Sequence, residues 1–143
     1  MREAAGHHLY LWQTADAFID QLVGDLNGEV YSRLRNSEDS RPNPLGFEGE
    51  IVAASREYIT LKLEFGESRF AITDIPPEGL VEIAASIADR TPDSREHYRR
   101  RELIAAFAHM TMPESSWEIT EALMRENRPF RERWIPAMAA AGR

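Results

Sequence analysis

The sequence predicts an α+β fold, in which an N-terminal helix precedes a small antiparallel sheet and three further helices follow the sheet. Apolar residues recur with the spacing of one helix face over residues 9–26. They then alternate with polar residues over 47–53 and 58–65, and return to helical spacing after Pro77. Because the periodicity changes from helix to strand and back, helices and strands are expected in separate parts of the chain.

A length of 143 residues suits one domain with its own hydrophobic core. We divide it into an N-terminal helix (1–28), a small β-sheet or barrel (29–77), helices (78–127) and a terminal segment (128–143) whose tail frays.

The N-terminal helix is predicted from one apolar face, formed by Leu11, Ala15, Phe18, Ile19, Leu22, Val23 and Leu26. Asn27 and Gly28 are expected to close it, since both tolerate the left-handed conformation that ends many helices. Residues 29–35 are interpreted as a short strand. The alternative is a continued helix, in which Gly24 and Gly28 would each cost about 1 kcal/mol.

The sheet is predicted as a meander of three or four strands that curls toward a barrel. Residues 36–46 form a polar loop, and the alternating stretches 47–53 and 58–65 are joined by a turn at 55–57. A second turn is expected at Gly66 and Glu67, followed by a last strand over 69–75.

Three helices are predicted after the sheet. Pro77 takes the first helical position of one, and Thr91 with Pro92 starts the next. A capping box from Thr111 to Glu114 starts the third, which pairs with the second as an αα-hairpin. Its inward residues are expected to be Trp117, Thr120, Leu123 and Met124.

The residues 47–55, 59–63 and 66–77 resemble the SH3-like or Sm-like small β-barrel. Together with the helices after them, they are also similar to C-terminal modules appended to large bacterial multidomain proteins, some of which contain Ser/Thr kinase domains. The resemblance implies an accessory protein-interaction module without catalytic residues. An Sm-type RNA site would need basic loop residues, but Glu67 lies at that loop and Glu48, Glu50 and Glu64 on the strands.

Composition narrows the function classes. The chain has no cysteine, which excludes disulfides and thiolate sites. It shows neither a signal peptide nor a long apolar run, so we expect a cytoplasmic protein without a membrane partner. The net charge is −7, and residues 1–90 hold 16 acidic against 8 basic residues, which disfavours binding to nucleic acid.

No catalytic, metal or cofactor site is predicted, because the motifs for phosphate, zinc and acyl-transfer chemistry are missing. The adjacent His7 and His8 lack a third ligand. The carboxylates of Asp16 and Asp20 share a helix face, as an acid/base or Mg²⁺ site would require, but a solvated acidic face explains them as well. Asp74 is interpreted as a turn residue.

Two clusters are candidate contact residues. The first is Phe130, Arg131, Trp134 and Ile135, a combination of aromatic residues and arginine that is enriched at interface hot spots; packing at a helix end is the alternative. The second is Arg95, Tyr98, Arg99, Arg100 and Arg101, which could bind an acidic or phosphate-bearing partner or form a solvated, ion-paired face.

The sequence therefore favours a non-catalytic protein-interaction module that binds a protein partner, with the predicted strand edge at 30–35 as a further contact. A homodimer is one form such a module could take. The alternatives are a small enzyme or ligand-binding domain with an acidic pocket, and nucleic-acid binding through the helix at 95–101.

Overall fold

The computed structural model describes residues 2–28, 50–63 and 66–141, and within them five helices and a three-stranded antiparallel sheet confirm the α+β prediction. In chain order the elements are α1 (Arg2–Leu26), β1 (Glu50–Ala54), β2 (Tyr58–Leu63), β3 (Gly66–Ala71), α2 (Pro77–Asp89), α3 (Ser94–Thr111), α4 (Trp117–Glu126) and α5 (Arg128–Ala141). The predicted strand at 29–35, the loop at 36–46 and residues 47–49 lie outside the described residues. The resemblance to SH3-like and Sm-like barrels stays a prediction.

The sheet is the predicted meander, with β2 between β1 and β3. Alternate side chains of β1 and β2 point inward and are buried, namely Ile51, Ile59 and Leu61. The register between these strands shifts at Val52, which is an extra residue that forms a β-bulge. The predicted turn at 55–57 is confirmed, and the Ser55 backbone N–H closes it by donating to the Tyr58 carbonyl at 2.8 Å.

The last strand lies earlier than predicted. β3 begins at Gly66, which pairs with Leu63, so the expected turn at Gly66 and Glu67 is wrong. Gly66 has a φ of 135°, a backbone conformation that a residue with a Cβ atom rarely adopts. The strand ends at Ala71 because the backbone turns there into a 3-10 helix, Ile72–Asp74. Asp74 is an exposed turn residue, as interpreted from the sequence.

The first core lies between the sheet and helices α1, α2 and α3. Its buried residues are Phe18, Leu22, Leu26, Ile51, Ile59, Leu61, Ile75, Leu80, Ile83, Ala84, Ile87, Ala88, Leu103 and Ile104. The rings of Phe18 and Phe107 stack with centroids 4.2 Å apart, which joins α1 to α3. α2 contributes Leu80, Ile83, Ala84 and Ile87, the i, i+3, i+4 and i+7 spacing that the sequence predicts for its apolar face.

α1 ends where the sequence predicts, but not through the left-handed conformation that the sequence suggests for Asn27 and Gly28. Neither Asn27 nor Gly28 has a positive φ. Instead, the Asn27 side-chain amide donates to the Ala54 carbonyl at 2.8 Å and accepts from the Ala54 N–H at 3.1 Å. The side chain thus ties the end of α1 to β1. A Cβ atom at Gly28 would lie 3.1 Å from the Gly24 carbonyl oxygen, so the close approach favours glycine.

Two predicted helix starts are displaced. α3 is capped by Asp93, whose carboxylate accepts from the Glu96 N–H at 2.9 Å, rather than by Thr91. α4 begins at Trp117, whereas Thr111 is the last residue of α3, so the predicted capping box does not form. The two helices do pack against each other as predicted. Thr120 and Leu123 are buried as expected, but Trp117 is exposed.

The terminal segment is a full helix, α5, rather than a frayed tail. Asn127 starts it, because its side-chain oxygen accepts from the Phe130 N–H at 2.9 Å. Pro129 falls in the first turn of α5, where a missing N–H has no intrahelical partner to lose. α5 packs against α1 and α4.

A second core forms where α5 meets the N-terminal half of α1. Its buried residues are Leu11, Ala105, Ala106, Leu123, Phe130, Trp134 and Ala137. α1 and α3 contribute to both cores, with Leu11 in the second and Phe18 in the first. Of the helices that the structure describes, none combines the length and the apolar character that a membrane crossing requires.

Candidate interaction surface

The structure divides the first candidate cluster between the core and the surface. Phe130 and Trp134 are 1% and 2% exposed, and their rings stack with centroids 5.1 Å apart. They are packing residues of the second core, so they cannot anchor a partner on the surface of this structure. Arg131 and Ile135 lie on the outward side of α5, where Ile135 is 51% exposed. The positions of the two rings fit the alternative that the sequence left open, which is packing at a helix end.

The burial of these rings follows from α5. In a continuous helix, Phe130, Trp134 and Ala137 fall at i, i+4 and i+7, which is a single face. That face meets Leu11 of α1 and Leu123 of α4. A terminal segment with a frayed tail, as the sequence predicts, offers few places to bury a tryptophan, whereas the continuous helix provides one.

The second candidate cluster is divided in the same way. Arg100 is buried and donates from Nε and Nη2 to the two carboxylate oxygens of Asp25, at 2.9 Å each. This bidentate pair joins α3 to α1 and raises the pKa of Arg100, although burial opposes that rise. Arg100 also approaches Glu96 at 3.3 Å. Its guanidinium is therefore occupied inside the molecule.

The remaining members of that cluster lie nearer the surface. Arg101 pairs with Glu126 of α4 at 2.6 Å and lies over the ring of the half-buried Tyr98. Arg95 and Arg99 are exposed and form no ion pair with any residue that the structure describes. Two arginines thus remain for an anionic partner, where the sequence offered four.

A different exposed surface lies on α1. Leu9 and Trp12 are 55% and 56% exposed, and they neighbour each other at i, i+3 spacing. Continuing along that side of the helix, Asp16 and Asp20 follow, also exposed. At 100° per residue these four side chains lie within an arc of about 80°. We call them the α1 stripe.

The acidic half of the α1 stripe contacts the sheet. Arg56, in the turn between β1 and β2, donates to Oδ1 of Asp16 at 2.9 Å and to Oδ1 of Asp20 at 2.5 Å. These hydrogen bonds raise the pKa of Arg56. Asp16 and Asp20 therefore share one guanidinium, which the spacing of the carboxylates alone did not predict. The two ion pairs of Arg56 connect the turn to α1.

The α1 stripe was not a candidate in the sequence analysis, although a signal for it was present. Trp12 lies at the edge of the apolar face that predicts α1, where that face borders the side that carries the carboxylates. An aromatic residue at that border is a candidate contact residue, since tryptophan is enriched at interface hot spots. Trp117, at the start of α4, is a second exposed tryptophan, with 63% of its surface accessible.

A polar network crosses the second core. The Tyr10 hydroxyl donates to Glu102, and Arg133 donates to both oxygens of the same carboxylate, from Nε at 3.1 Å. Burial, and then the contact with Glu102, raise the pKa of Tyr10 well above its usual range. A tyrosine with a raised pKa is a poor base or nucleophile at neutral pH, so the network joins α1, α3 and α5 structurally.

The two histidines whose side chains the structure describes, His97 and His109, make separate contacts. His97 contacts the Ala88 carbonyl through Nδ1 at 2.6 Å, which links α3 to the end of α2. The His109 ring lies edge-on to Trp134 at 5.8 Å, and burial lowers its pKa. The side chains of His7 and His8 lie outside the described structure. Within the residues described, no three acidic or histidine side chains are grouped as a metal site would require.

The cavity beside Asp25 and Arg100 is small. It measures about 10 Å³ and is lined by Phe18, Gln21, Leu22, Asp25, Ala84, Arg100, Leu103 and Ile104. Such a volume holds one water molecule at most, so this buried charged pair does not face a substrate site.

Comparisons of the chain with protein-family models, with curated proteins and with solved structures found no match.

Proposed function

We propose that this chain is a non-catalytic protein-interaction module whose contact surface centres on the α1 stripe. The observation that carries the proposal is the exposure of Leu9 and Trp12 side by side on one face of α1. Single exposed apolar residues are ordinary, but a tryptophan beside a leucine forms the kind of anchor that is enriched at interface hot spots. The proposal keeps the function that the sequence favours and moves its contact residues from α5 to α1.

The two buried carboxylates, Asp25 and Glu102, support a non-catalytic role. Asp25 is held by Arg100, and Glu102 by Tyr10 and Arg133, in contacts that connect helices. A catalytic acid or base must instead have an oxygen or nitrogen that reaches a substrate. The enzyme with an acidic pocket is the weaker alternative for this reason.

The test uses a purified partner. Proteins captured from an extract of the cells that produce this chain would be purified, and their dissociation constants measured by calorimetry for the natural chain, Trp12→Ala and Trp117→Ala. We expect Trp12→Ala to weaken binding by at least about tenfold, as the loss of an anchor does, and Trp117→Ala to leave it unchanged. Equal affinities for all three would refute the proposed surface.

A further inference from the structure

The α1 stripe is chemically divided along its length. Leu9 and Trp12 form its apolar end, and Asp16 and Asp20 form its acidic end, over a rise of about 16 Å at 1.5 Å per residue. A stripe of this length matches about three turns of a partner helix packed along α1. A partner helix along α1 would meet the apolar pair and the carboxylates at the same time.

Among the residues that the structure describes, only Arg56 pairs with the acidic end of the stripe. Arg56 occupies only Oδ1 of Asp16 and Oδ1 of Asp20. No described residue donates a hydrogen bond to the Oδ2 atom of either carboxylate. Two carboxylates against one guanidinium leave one negative charge, and both aspartate side chains are 60% exposed. These oxygens are therefore available to a cationic donor.

The net charge of the whole chain also favours a cationic partner. With a net charge of −7, the chain attracts cationic partners over a distance and repels acidic ones, including a second copy of itself. A second copy would also bring the same carboxylates to the surface that it covers. Charge complementarity thus disfavours the homodimer and favours a basic partner.

The geometry points to a cationic amphipathic helix as the partner. Its apolar side chains cover Leu9 and Trp12, and a lysine or arginine one to two turns further along binds Asp16 and Asp20. This inference rests on the proposed function, because it names the chemistry of the partner that the α1 stripe takes.

The experiment uses two synthetic peptides as probes. One is an amphipathic helix with a leucine stripe flanked by lysines, and the other is the same peptide with every lysine replaced by glutamate. Binding of each fluorescein-labelled peptide is measured by anisotropy with the full chain, with Trp12→Ala, and with Asp16→Asn/Asp20→Asn. Glu114→Gln/Glu118→Gln removes two exposed carboxylates near the start of α4, and it is the control for net charge. Thermal unfolding confirms that each variant is folded.

We expect the lysine peptide to bind at least about tenfold more tightly than the glutamate peptide, and the preference to decrease as salt screens the charges. The preference should lose most of its size in Asp16→Asn/Asp20→Asn and stay nearly unchanged in Glu114→Gln/Glu118→Gln, and any preference that is left reflects the net charge of the chain. Trp12→Ala should lose binding of both peptides.

Two results would overturn the inference in different ways. If both peptides bind equally well and Trp12→Ala abolishes both, the interaction surface stands and the cationic partner does not. If neither peptide binds, or if Trp12→Ala binds them as the natural chain does, the proposed surface is lost along with the inference. A homodimer in light scattering that Trp12→Ala dissociates would also overturn the cationic partner, since a second copy would then cover the stripe.

Discussion

Replacing Asp25 by asparagine removes one charge from the buried pair between α1 and α3 while keeping the side-chain volume. The side chains of Asp25 and Arg100 are 9% and 10% exposed. In the variant, the Arg100 guanidinium stays buried and keeps only Glu96 at 3.3 Å, whose side chain is 56% exposed. Breaking a buried ion pair by removing one partner costs about 3–5 kcal/mol. Because Glu96 compensates in part, we expect a loss of about 3 kcal/mol.

The assay is urea unfolding followed by circular dichroism, supported by the thermal midpoint, which should fall by roughly 10 °C in a chain of this size. The control is Glu121→Gln, which breaks an exposed pair with Arg125 and should cost about 0.5 kcal/mol or less. The double variant Asp25→Leu/Arg100→Met should recover to within about 1 kcal/mol of the natural chain, because no unpaired charge remains. A loss below about 1 kcal/mol for Asp25→Asn would show that the guanidinium is solvated, and would refute this reasoning.

Trp134→Ala should destabilise the fold by about 3–5 kcal/mol in urea unfolding, since it empties the second core, whereas Ile135→Ala, one residue further on, should have little effect. Similar small losses of unfolding free energy for both variants would contradict the burial of Trp134. Tyr10 ionises in the unfolded chain near pH 10 but later in the folded one, so the free energy of unfolding should fall as the pH rises above about 10, and Tyr10→Phe should reduce that slope. An unchanged slope would contradict the burial of Tyr10 together with its contact with Glu102. Burial lowers the pKa of His109 below its unfolded value near 6.5, so the free energy of unfolding should fall as the pH drops below about 6.5. His109→Gln should make that fall less steep. An equally steep fall in the variant would contradict the burial of His109.

The apolar face of α1 shows what periodicity can predict. Phe18 and Leu22 are buried because residues spaced at i and i+4 must share a face once the helix forms, whatever they pack against. The same holds for Ile59 and Leu61 in β2, which alternate with exposed or half-buried neighbours. These residues could be placed without knowing the partner element.

Residues whose position depends on distant elements could not be predicted in this way. Trp134 is buried because α1 and α4 supply the other side of the second core, and no local pattern announces that contact. Arg100 was grouped with its neighbouring arginines, yet its partner Asp25 lies 75 positions earlier in the chain. Arg56 likewise meets Asp16 only after the sheet and α1 come together. Which side chains of a candidate cluster remain exposed is decided by tertiary contacts, which a local pattern does not contain.

The participation of α1 in both cores also constrains the order in which the chain can fold during its synthesis. Tyr10 is 92 positions from Glu102, and Asp25 is 75 positions from Arg100. Since synthesis proceeds from the N-terminus, α1 leaves the ribosome long before α3 and α5, the helices that cover its buried face. Until they arrive, Leu11 and Phe18 are exposed as well as Trp12. The nascent helix then presents its whole apolar face to solvent, and it is at this stage that the chain would depend most on a chaperone.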